Sequence, residues 1–112
     1  VPEKYQDRNL YEWNSNITLM RTTVDENRQM GEMIAAAANA STGLVAVLLP
    51  LKGVSQLDSL GGQFWDPAAD GACYDAIKVN LKPGIPVHEI DCDINDPQFA
   101  DKATELLLAM LS

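Results

Sequence analysis

Cysteine is scarce in this sequence, and so are positive charge and long apolar runs. The only two cysteines, Cys73 and Cys92, fall in different expected elements without close CxxC spacing. That excludes a disulfide scaffold and the usual zinc or redox motifs, and leaves both as core or subsurface thiols. Lysine and arginine number eight against sixteen acids, for a net charge of -8. Such a chain repels phosphate backbones, which excludes nonspecific nucleic-acid binding. The longest apolar run, Leu44 to Leu49, is strand-sized, so no bilayer crossing is expected. The opening residues Val1 to Arg8 lack an apolar signal region, which makes a cytoplasmic, reduced setting the expectation. No initiator Met is present, and the first residues are loop-like, so a processed or excised piece of a longer protein is expected.

What is present is enough for one domain. The 112 residues are 46% hydrophobic and 21% charged, which suits a chain that folds and buries roughly 65% of its surface. The acidity is uneven. Residues 1–52 hold six acids and five bases, whereas residues 53–112 hold ten acids and three bases.

Patterning gives the element order. Asn9 to Trp13 and Ile17 to Arg21 read as short strands around the turn formers Asn14, Ser15 and Asn16. Thr23 and Glu26 have capping-box spacing, Met30, Met33, Ile34, Ala37 and Ala38 keep a helical rhythm, and Gly43 supplies a stop. Leu44 to Leu49 reads as a central strand covered on both faces and ended by Pro50. A long connection over 51–66 follows, and loops of that length in compact domains are usually functional. Asp66-Pro67 opens a helix to about Leu81, Ile85 to Ile90 forms a strand, and Asp96-Pro97 opens a last helix. That helix carries Phe99, Ala103, Leu106, Leu107 and Met110 on one face. The order after Asn16, βαβ(loop)αβα, predicts an α/β fold: a parallel-sheet, Rossmann-like layered sandwich with helices on both faces, incomplete as a domain. So narrow a sheet is expected to pair outside the chain, with the remainder of a parent protein or a second copy.

In open parallel sheets ligands bind beyond the carboxyl ends of the strands, which here are Arg21 to Thr23, Pro50 to Asp66 and His88 to Asp96. Arg21 could meet a carboxylate or phosphate beside the helix start at Thr22 and Thr23, or form an ordinary ion pair. Lys52, Gly53, Ser55, Asp58 and Gly61 lie in the long loop. The glycines and Ser55 would let backbone approach an anion, Lys52 would supply charge, and Asp58 would accept from a ribose hydroxyl or hold a bridging metal water. The loop matches neither GxxxxGK[ST] nor GxGxxG, so the standard phosphate-loop signatures are missing and a simple bend stays open. Phe64 and Trp65 could roof the core or stack on a base. His88 stands among Glu89, Asp91 and Asp93, a set suited to Mg²⁺ or Mn²⁺ or to a general base. Strand alternation separates His88 from Glu89 and Asp91, so the alternative is a structural histidine. Ser55 has no Gly-x-Ser-x-Gly frame, which argues against nucleophilic hydrolysis.

Four runs, Thr18 to Thr23, Pro50 to Asp58, Phe64 to Asp70 and Ile94 to Ala100, resemble the Tm-1-like ATP-binding family in order and spacing. This uncharacterised family includes the tomato mosaic virus resistance protein. The resemblance implies the carboxy-terminal part of the second of two α/β domains, with ATP binding chiefly through the amino-terminal domain. The family pattern usually reads His-Asn where this chain has Trp13-Asn14. The expectation is therefore a nucleotide or phosphorylated small-molecule ligand in an interdomain cleft. The rivals are a metal-assisted hydrolase at His88 and a purely structural half.

Overall fold

Three capped helices and two separate pairs of strands make up the fold, and the computed structural model describes all 112 residues. After a single 3-10 turn at Glu3–Tyr5, β1 (Leu10–Asn14) and β2 (Ile17–Met20) form an antiparallel hairpin. The Asn14 side chain closes its turn by accepting from the Asn16 amide at 2.8 Å. Helix α1 spans Val24–Ala40, and its capping box is complete: Thr23 accepts from the Glu26 amide while Glu26 accepts from the Thr23 amide. Strand β3 (Val47–Pro50), helix α2 (Pro67–Asn80), strand β4 (Val87–Ile90) and helix α3 (Pro97–Leu111) complete the order. Asp66 and Asp96 cap α2 and α3 ahead of the expected prolines.

The α/β class is as read from the sequence, with β3 and β4 parallel and Leu48 opposite His88. Three details differ. β2 pairs only with β1, so the parallel sheet has two strands, and β3 stands at an edge instead of the centre. Helix α1 stops at Ala40, before Gly43, with Ser41 as an extended cap. Its buried face is Asn27, Gly31 and Ala35, whereas Met33 and Ile34 are exposed. The reason is close helix packing. A Cβ on Gly31 would stand 2.3 Å from the Cys73 carbonyl oxygen, so no side chain fits at that position where α1 crosses α2.

Leu49, Tyr74 and Ile77 form the core where α2 covers one sheet face, with Val47 and Val87 against it. Helix α3 lies toward the other face with half-buried Phe99, Ala103, Leu106 and Met110 and no fully buried residue. The accessible surface is 7310 Å², against about 6,100 Å² for a compact monomer of this mass. About 59% of the unfolded surface is therefore buried, less than the 65% expected from length.

Candidate functional site

Arg21 leaves the end of β2 and reaches across to the 51–66 loop and to α2. Its Nη2 donates to Asp58 Oδ2 at 3.0 Å and to Asp70 Oδ1 at 2.7 Å. All three side chains are buried, at 9%, 3% and 8% exposure respectively. One guanidinium thus faces two carboxylates in a buried site. Burial first, then hydrogen bonding and repulsion from Asp70, pushes the Asp58 carboxyl up to about 7, with Arg21 opposing. Arg21 Nε and Asp58 Oδ1 have no partner. Beside the cluster, the Tyr74 hydroxyl donates to the Pro50 carbonyl at 2.8 Å, and burial holds that phenol above its usual range.

The loop is a folded unit. The Ser55 hydroxyl accepts from the Asp58 amide at 2.9 Å, the Phe64 amide donates to Leu57, and Gly53 bridges to Ser59. Gly53 adopts φ +131°, and a Cβ there would fall 1.9 Å from the Asp58 carbonyl oxygen. No side chain fits at that position, which answers why a glycine stands there. Asn9 and Gln63 exchange two hydrogen bonds, at 3.1 and 2.9 Å, which tie the hairpin to the same loop.

Of the residues singled out from the sequence, Arg21, Asp58, Ser55 and Gly53 therefore come together. Thr22 sits beside them, its hydroxyl accepting from Asn27 Nδ2 at 2.8 Å. Asp58 faces Arg21 and is closed off from solvent. Lys52 is exposed with its ammonium 3.7 Å from Asp91, and Gly61 is an open bend at φ +86°. His88 turns toward α3, where it lines a cavity with Leu106 and Met110, while Asp93 accepts from the Asn95 amide. No three His, Cys, Asp or Glu side chains converge as a metal-binding group. Asp70 was missed in the sequence. Its signal was there: it lies in phase with Tyr74 and Ile77 on the buried face of α2, a charge on an apolar stripe.

The hairpin and the loops that follow β3 and β4 meet in a cleft of about 540 Å³. Trp13 and Met20 contribute from the hairpin, Ser55 and Leu57 from the loop, and Ile94 and Asn95 from the turn after β4. No charged side chain lines it. Trp13 is 60% exposed above it, and Phe64 is buried edge-on to Tyr11 behind it.

The model of the uncharacterised protein family (UPF0261) C-terminal domain matches residues 1–111. The chain belongs to the UPF0261 family. It is 46% identical over 105 residues to a UPF0261 protein of Rhizobium meliloti, covering 92% of this chain and 26% of that one. A UPF0261 protein of Clostridium tetani is 37% identical over 112 residues, covering 99% and 28%. The ToMV resistance protein Tm-1(GCR237) of Solanum lycopersicum is 36% identical over 110 residues, covering 96% and 15%. The chain thus spans about a quarter of the length of these bacterial UPF0261 relatives. No helix of the UPF0261 domain described here is long and apolar enough to cross a membrane.

Proposed function

We propose that this domain forms one wall of a small-molecule cleft that binds a nucleotide or another phosphorylated ligand, with the opposite wall supplied by the rest of the protein. One observation carries the reading: the hairpin and the loops after β3 and β4 converge on a concave, uncharged surface at the carboxyl ends of the parallel strands. That is where open α/β sheets place ligands. The exposed indole of Trp13 offers a face for a base, and Ser55 and Asn95 offer neutral hydrogen-bonding groups. Phosphate charge is met outside the cleft, by Lys52 at the start of the loop and by groups of the facing wall. ATP with Mg²⁺ is the ligand to test first, and the rest of the parent protein is the partner this reading requires. The metal-assisted hydrolase reading draws no support from the placement of His88, Asp91 and Asp93.

The test is calorimetric titration of ATP into the full-length protein and its Trp13→Ala variant. Stacking of a base on an aromatic ring contributes about 1–3 kcal/mol, so the variant should bind roughly 5- to 150-fold more weakly. Equal affinities would remove the cleft from the binding site.

A further inference from the structure

The Arg21, Asp58 and Asp70 cluster holds more negative charge than it can neutralise, and one of its members sits on the loop that floors the cleft. We propose that Asp58 carries a proton while the 51–66 loop is docked against Arg21 and Asp70, so that docking, and with it the shape of the ligand cleft, is set by pH. The inference rests on the cleft reading above for its functional meaning, though the docking equilibrium exists without a ligand.

The charge count is fixed by what surrounds the pair. From the hairpin comes Arg21 alone, bonded to both carboxylates through one nitrogen. Arg8 donates to the Arg21 carbonyl but is spent on Glu26 at 2.6 Å. From α2 come Cys73 and Tyr74, both acids, and the Tyr74 hydroxyl is committed to Pro50. The Asp66 carboxylate caps α2 at the Ala69 amide. No second cation reaches the site, so two ionised carboxylates would leave an uncompensated charge where solvent cannot screen it.

A proton bound by one carboxyl removes that surplus, and the unpartnered Asp58 Oδ1 has room in its hydrogen bonding to carry it. Asp70 is held in a helix and Arg21 at the end of a hairpin, whereas Asp58 rides on the loop. Undocking therefore exposes Asp58, which then releases the proton as an ordinary carboxylic acid. The sign follows by linkage. Between the carboxylate range near pH 4 and the docked value near 7, the docked form holds one proton more than the open form. Opening becomes easier as pH rises through that window and levels off above it.

The experiment is hydrogen exchange in the full-length protein, followed at the Phe64 amide and its loop neighbours from pH 4.5 to 8 and corrected for intrinsic exchange. The opening equilibrium should rise by up to tenfold per pH unit to near pH 7 and then flatten. Asp58→Asn mimics the protonated side chain and should stay docked with no pH slope. Asp70→Asn, which removes the second charge, should reduce the slope and serves if the first variant fails to fold. A flat wild-type profile, or an Asp58→Asn profile as steep as the wild type, would overturn the proposal. A repeat with saturating ATP separates the two readings: loop exchange unaffected by ATP sinks the cleft, while the slope without ATP still decides the proton on Asp58.

Discussion

The two faces of the small parallel sheet are finished to different degrees. Over α2, the core of Leu49, Tyr74 and Ile77 closes against the strands, and the Arg21 cluster binds hairpin, loop and helix together. Toward α3, no residue is fully buried, and Leu107, Leu108 and Leu111 are more than half exposed. Directional hydrogen bonds and an ion cluster give the first region one conformation of its own. The second has apolar surface and few partners, and so contributes little that a single substitution can take away.

That contrast is broken most forcefully at Arg21. Arg21→Met leaves two buried carboxylates without their cation, and losing one partner of a buried ionic cluster costs about 3–5 kcal/mol. Urea unfolding should show that loss, and a change below about 1 kcal/mol would mean the cluster does not hold the region together. Next comes pH. The raised Asp58 value makes its contribution largest at low pH and lost as pH rises from near 4 to about 7. The wild type should therefore lose up to about 1.4 kcal/mol per pH unit relative to Asp58→Asn, integrating to a few kcal/mol. Paired denaturation curves across that window check it, and parallel curves would contradict it. Gly53→Ala should cost about 1–3 kcal/mol, because alanine at φ +131° is strained and its Cβ meets the Asp58 carbonyl. At the small end, Leu108→Gln on α3 should stay within about 0.5 kcal/mol in the same assay. A larger loss there would show that α3 is packed more firmly than its exposure indicates.

The sequence announced the finished region better than the open one, and the reasons are physical. Capping at Thr23, Asp66 and Asp96 is local chemistry, readable within four residues, and all three caps stand. The long loop with Gly53, Ser55 and Asp58 was marked by its length and composition, and Arg21 by its place at a strand end. What joined them was not local. Asp70 reaches Arg21 across 49 positions, and nothing in its neighbourhood names its partner except its misfit on an apolar stripe. Periodicity also misled in α1, where Met30, Met33 and Ile34 marked an apolar face that stays partly exposed while Asn27, Gly31 and Ala35 are buried. A hydrophobic stripe says that a surface wants burial, not that this chain supplies the cover. The same holds for Leu44 to Leu49, whose outer residues stay outside β3 and whose strand has one neighbour.

The most direct test of the central claim, that the loop ends over the finished region form the ligand wall, is hydrogen exchange of the full-length protein with and without ATP. The account predicts new protection at Trp13 to Met20, at 54–57 and at Ile94 and Asn95, with α3 unchanged. Protection confined to α3, or none in this domain while ATP binds elsewhere, would contradict it.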